Sequence, residues 1–310
     1  MRIYAKEPFS VNTLRTCGHS ATILILAFLV FALSSASPVV REKVGVTEIT
    51  PNLLVFSTSS GNVVASVGSD GVLLIGTPSA ASTPFLNSVL TQHTKSPVRY
   101  VVVYPESLAS SEGDARWGQL GAFVAMHENA LRRLGGDLMS APGPLPSRFA
   151  ELGVDRPRLA FSEVLSFDLN GDSIHIVHQK PGYSDADALA HFHVANLFYL
   201  GEVFPGDGYP QIDAEQGGTL EGLLNQLTWT GSQQRIVPAR GKVTDGTNLK
   251  AFRDMIVTVR DRVQRMINEG RTESQVLAAH PTSDFDAQWG HGRVLPDVFV
   301  REIYAALKKP

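Results

Sequence analysis

The side chains best suited to chemistry in this chain are its histidines and one stretch of loop serines. His191 and His193 are two residues apart in a strand-like segment, so both rings point to one face of a sheet. With His175 or His178 they are the residues from which a metal site could be assembled. His175 and His178 are themselves three apart, so they face opposite sides of a strand and cannot chelate together. A spacing of two on a strand is a weak metal signal, and we read the pair as sheet packing. His127 precedes Glu128 and Asn129 at a helix start and reads as a structural or capping residue. Ser107, Ser110 and Ser111 sit in a polar stretch after a buried strand. A serine nucleophile would need a G-x-S-x-G elbow and a partner base, and the sequence offers neither, so these read as solvated loop serines.

The elements that must carry such residues fall into two similar halves. Strands are expected at Val44–Ile49, Leu53–Ser57, Asn62–Val67 and Val72–Ile75, with turn signals between them, including Asp70-Gly71. A helix over 82–94, a buried strand over 98–104, a short strand Ala122–Met126 and a short helix His127–Leu134 follow. Residues 135–157 are rich in Gly and Pro and read as a long loop or lid. The second half has strands Glu163–Asp168, Ser173–His178, Ala188–Val194 and Leu197–Leu200, with Asn170-Gly171-Asp172 as a hairpin signal. Then come a helix over 218–228, strand Arg235–Val237, a long amphipathic helix over 246–269, and helices over 273–279 and 296–307. This order predicts two packed sheets with helices outside.

Several segments together resemble the metallo-β-lactamase superfamily. TPNLLVF and GNVVASVGSDGVLLIGT are similar to its opening hairpins. RYVVVYPESLASSEGDARW (99–117) is similar to its metal-loop region, where a strand leads into N-T-H-x-H-x-D-H-x-x-G-N. HQKPGYSDAD resembles P-x-H-T-x-x-D, NLFYLGEVF resembles N-x-L-x-x-G-D-x-F, and IVPARG resembles V-P-G-H-G. The resemblance spans about residues 44 to 307 and implies an αββα sandwich of α/β (α+β) class.

It also implies where zinc ligands would fall: on Pro105, Ser107, Ala109, Ser110, Tyr183, Glu202 and Arg240. Only Glu202 keeps a carboxylate. A catalytic zinc needs about three imidazole, thiolate or carboxylate donors and one open position. Arg240 is permanently cationic at a place meant for a metal ligand. The Asp that braces the family's metal loop falls on Gly76. The resemblance therefore implies zinc in the family and argues against a cofactor here. No residue is assigned a catalytic role. The expected function is a non-catalytic binding or scaffold protein that keeps the cleft. The alternative is a hydrolase with a rebuilt site. Glu202 and Arg240 are expected to pair, and the cleft to suit a small polar or anionic ligand.

The whole chain sets the remaining limits. Its 310 residues, 43% hydrophobic, suffice for a large core, and a net charge of −3 gives no footprint for nucleic acid. Residues 1–36 place Arg2, Lys6 and Arg15 before a 13-residue apolar run, Ala21 to Leu33, and then Ser34, Ser35 and Ala36. That run is shorter than the roughly 20 residues a membrane-spanning helix needs. The order reads as a signal peptide, followed by a linker over 37–43 and the domain over 44–310, with export to the periplasm or beyond the cell. An uncleaved N-terminal membrane anchor is the other reading. Cys17, the only cysteine, precedes the apolar run, so a mature chain would carry no thiol.

Overall fold

The computed structural model describes residues 43–76, 79–104, 117–133, 159–228 and 231–308. The expected signal peptide, nearly all of the linker, the 105–116 stretch and the 135–157 loop lie outside the described residues.

Two sheets form the centre. The first has order β1-β2-β3-β4-β5-β6-β7: Gly45–Thr50, Leu53–Ser57, Asn62–Ser66, Val72–Ile75, Val98–Val103, Phe123–His127 and Leu159–Phe161. β1 to β4 pair antiparallel, and β4 to β7 pair parallel. The second has order β13-β12-β11-β10-β9-β8. These are β8 Val164–Leu169, β9 Asp172–His178, β10 Ala188–Phe192, β11 Leu197–Tyr199, β12 Arg235–Val237 and β13 Thr244–Asp245. The helices are α1 Thr83–His93, α2 Glu128–Arg133, α3 Leu220–Gln226, α4 Gly246–Asn268, α5 Glu273–Ala278, α6 Asp286–Trp289 and α7 Pro296–Lys308.

Alternation along the strands sorts the apolar residues into three layers. Leu73, Ile75 and Val102 of the first sheet face Ile174, Ala190 and Tyr199 of the second. Leu74, Val101 and Val103 point the other way, toward Leu86 and Leu90 of α1. Phe198 and Ile236 point away from the first sheet toward Phe252, Ile256 and Val259 of α4. Period-2 strands with both faces covered, and a helix with one apolar stripe, give the helix–sheet–sheet–helix order. The expected α/β sandwich is the observed one.

The two turn signals turn out to be one device. β8 and β9 pair with Leu169 opposite Asp172, which leaves a two-residue turn at Asn170-Gly171, and Asn170 has φ +55°. Residues 67–71, between β3 and β4, form a wider loop than the tight hairpin the sequence suggests. The reason is that this loop grips the other turn. The Asp70 carboxylate accepts the Asn170 N–H at 2.8 Å, and the Asn170 amide donates to Ser66 Oγ and the Gly71 carbonyl, both at 3.0 Å. One turn from each sheet thus locks the sheets together at this end.

β7, β13 and α6, of three, two and four residues, are found in addition to the expected elements. Such elements exist through pairing and packing, not through a periodic pattern of their own. β10 ends at Phe192, so His193 lies just beyond the strand and not within it.

α7 carries a titration that stability measurements can read. Glu302 accepts the Ile212 N–H at 2.8 Å. Burial pushes its carboxyl from 4.5 up to about 7, with the Ile212 N–H pulling it down and the Asp213 charge adding to the rise. A carboxyl raised on folding binds its proton more tightly in the folded state. Its stabilisation is present below the unfolded value and is lost as pH climbs through the folded one. Urea unfolding between pH 5 and 8 is therefore expected to show wild type losing about 1–2 kcal/mol relative to Glu302→Gln, after allowance for solvent screening. Parallel pH profiles for the two proteins would show that Glu302 is not the group responsible.

Candidate functional site

β11 and β12 run parallel with Tyr199 opposite Val237. Glu202 and Arg240 each lie three residues beyond that pair, so the two chains leave the sheet side by side and bring these side chains together. Glu202 sits on the short 3-10 turn Gly201–Val203. The Arg240 fork donates through both terminal nitrogens to Glu202, Nη1 to Oε1 and Nη2 to Oε2, the latter at 2.8 Å. Its Nε donates to Asp207 Oδ2 at 3.0 Å. The side chains of Arg240 and Glu202 are only 10% and 12% exposed, whereas Asp207 is 36% exposed. Burial works against the Arg240 charge, yet Glu202 and then Asp207 hold its pKa above the ordinary guanidinium value.

The loop carrying Arg240 is fixed from the other sheet. Asn62, at the start of β3, donates its backbone N–H to the Ala239 carbonyl at 2.7 Å, and its amide donates to the Pro238 and Gly241 carbonyls at 2.9 Å. The Ala239 and Arg240 N–H groups reach Phe204 and Pro205 carbonyls at 2.9 Å. A buried Asn in a loop-strapping role needs its donors satisfied, and here every one is.

Tyr183 and Glu202 line one small hollow with Tyr104, Ser184 and Asp187. Tyr183 is buried, and its turn is held by Asp187. That carboxylate accepts the N–H groups of Gly182, Tyr183 and Ser184, the Ser184 hydroxyl and the Gln226 amide. Burial pushes the Asp187 carboxyl up while these donors pull it down. The hollow measures about 10 Å³, room for about one water. Pro105, Ser107, Ala109 and Ser110 lie outside the described residues; Tyr104, the last residue described before them, borders the hollow. So the structure brings Tyr183, Glu202 and Arg240 to one place, and it adds Asp207 and Asn62, which the sequence reading missed. Asp207 sits between two glycines in FPGDGYP, a turn signal with one charge, and that was its only trace.

The space at Gly76 is also filled. Gly76 has φ +76°, and a Cβ there would stand 2.8 Å from the Tyr199 hydroxyl and 3.0 Å from the Asn62 carbonyl. Tyr199 is fully buried and meets Tyr104 edge-on at 5.1 Å. Gly76→Asp is expected to destabilise by about 2–4 kcal/mol, from the left-handed backbone and the overlap together. Tyr199→Phe in the same chain should recover part of that in thermal melts; a neutral Gly76→Asp would mean that Tyr199 moves aside freely.

The donor set does not fit zinc at the described positions. Both Glu202 oxygens are engaged by Arg240, Tyr183 is buried in the core, and a guanidinium cannot ligate a cation. Among the described residues, no group of three His, Cys, Asp or Glu is arranged to hold a metal ion. His193 lies beyond the strand that carries His191, yet their ring centroids come within 4.3 Å and the rings pack on each other. His191 also stacks on Phe198 at 4.2 Å, and His175 bonds Ser166 at 2.8 Å. Burial, then the His193 and His175 charges, lower the His191 pKa. His127 is buried: its Nδ1 accepts the Asn129 N–H at 3.2 Å and its Nε2 meets the Ser162 carbonyl at 2.9 Å, a capping role.

No family model and no curated protein matches the chain. Solved structures do. A metallo-β-lactamase from Pontibacter korlensis aligns over 69% of this chain and 99% of its own, at TM-score 0.54 and 13% identity. The DIM-1 metallo-β-lactamase aligns over 70% and 98%, at TM-score 0.53 and 11% identity. A double mutant of the sec-alkylsulfatase PisA1 aligns over 84% of this chain at TM-score 0.62 and 15% identity, and this chain spans 50% of its length. The chain has the metallo-β-lactamase fold.

Proposed function

We propose that this protein is an exported, non-catalytic member of the metallo-β-lactamase fold, with a binding or scaffold role. The single observation that supports it is the Glu202–Arg240–Asp207 cluster. Its guanidinium stands at a position where the family resemblance places a zinc ligand, and it occupies both oxygens of the one carboxylate left there. A buried fork-to-fork pair satisfies both charges and leaves neither for substrate. A hydrolase of this fold takes its nucleophile from metal-bound water with a pKa near 7, and Tyr183, Glu202 and Arg240 supply no such water. The cluster sums to one negative charge beside a hollow of about 10 Å³, which favours a scaffold role over capture of a small anion there. Export rests on the order of basic, apolar and small residues over 1–36. Among the described residues no helix is long and apolar enough to cross a membrane.

The test is metal content after dialysis against zinc and then buffer. Well under one zinc per chain is expected, with no turnover of β-lactam, thioester, phosphodiester or alkyl sulfate. One tightly held zinc per chain, or turnover abolished by Glu202→Gln, would overturn the proposal in favour of a rebuilt hydrolase site.

A further inference from the structure

On the helical layer over the second sheet lies a groove of about 830 Å³ that shares no residue with the Arg240 cluster. It runs between α3, α4, α7 and the segment ahead of α3. Its apolar wall is formed by Ile212, Leu220, Leu224 and Leu307. Its size falls in the range of small-molecule sites. Two cations line it, Arg253 and Arg260, seven residues apart on α4 and so on one face, about 10 Å apart along the axis.

The two are not equivalent. Arg260 is engaged by Asp261 next to it, in an exposed pair. Arg253 has a buried Nε with no hydrogen-bond partner, and among the described residues no carboxylate pairs with it. A guanidinium that no carboxylate engages can pair with an anion entering the groove. Glu221 and Glu302 line the same groove, and Glu302 spends one oxygen on the Ile212 N–H.

We propose that this groove binds an alkyl monocarboxylate, with the carboxylate on the Arg253 guanidinium and the chain along Ile212, Leu220, Leu224 and Leu307. The head group gains a charge-assisted contact with a guanidinium that no carboxylate engages. The chain covers the apolar wall. A single charge matches the one guanidinium in the groove that no carboxylate engages, and a second would meet Glu221 and Glu302. The site does not depend on the reading of the Arg240 cluster.

Titration calorimetry on the full chain tests it, with decanoate kept below its micelle concentration. Saturable binding at one site per chain is expected, with decanol and decylammonium at least tenfold weaker. Arg253→Gln should weaken decanoate at least tenfold and leave decanol unchanged. Leu224→Trp, which fills the groove, should abolish decanoate binding, and it keeps the test open should Arg253→Gln fail to fold. Equal binding of decylammonium, undiminished binding by Arg253→Gln or Leu224→Trp, or no saturable decanoate binding would overturn the proposal. So would a concentration-dependent dimer that Leu224→Trp dissolves and decanoate does not, which would give the groove to a second copy of the chain.

Discussion

Arg240→Ala is expected to cost about 3–5 kcal/mol of folding stability, read as a fall in the urea midpoint at unchanged slope. The physical reason is what remains. Glu202 is 12% exposed and loses both of its donors at once, so an uncompensated carboxylate stays buried beside Tyr183. Asp207 is 36% exposed and returns to water at small cost. Arg240→Lys keeps the charge but loses the fork, so it should fall between wild type and alanine. Replacing both partners, Arg240→Met with Glu202→Met, should cost less than Arg240→Ala alone, because no buried charge is orphaned. Added salt should barely change the Arg240→Ala effect, since the pair is screened little by solvent. A loss below about 1 kcal/mol would place the pair in the class of surface ion pairs and remove the support it lends to the functional proposal.

That pair also marks what the sequence could and could not disclose. The strands and long helix were legible because their apolar periods are forced by burial on known faces: β2 and β4 fall at the expected residues, and α4 buries Leu249, Phe252, Met255, Ile256, Val259 and Val263 along one stripe. The meeting of Glu202 with Arg240 came from family resemblance, and the parallel register of β11 and β12 supplies its cause. Asp207, Asn62 and Tyr199 were not legible. Each acts across a gap in the chain, as in Asn62 bonding Pro238, and no local pattern encodes which distant backbone a side chain will meet. The Asp70–Asn170 lock shows the same limit. Both turns announced themselves, but their contact did not.

Asp187→Ala is expected to be as damaging, at about 3–5 kcal/mol, and to act on the site through the backbone. Asp187 is 6% exposed and accepts from three consecutive N–H groups, Gly182, Tyr183 and Ser184, and from Ser184 Oγ and Gln226 Nε2. Removing it leaves buried donors that the turn cannot re-pair without opening, and each unmade one costs about 1–3 kcal/mol before relaxation. Gln226 would keep its bond to the Lys180 carbonyl, so α3 should remain docked while the 181–187 turn loosens. Amide exchange can check this directly: protection at Gly182, Tyr183 and Ser184 should fall well before protection in β10. Asp187→Asn separates charge from shape. Its amide would turn a donor toward donors, so it should recover less than half of the loss. Uniform loss of protection across both sheets would instead make Asp187 a determinant of the whole fold and not of the turn that sets Tyr183 beside Glu202.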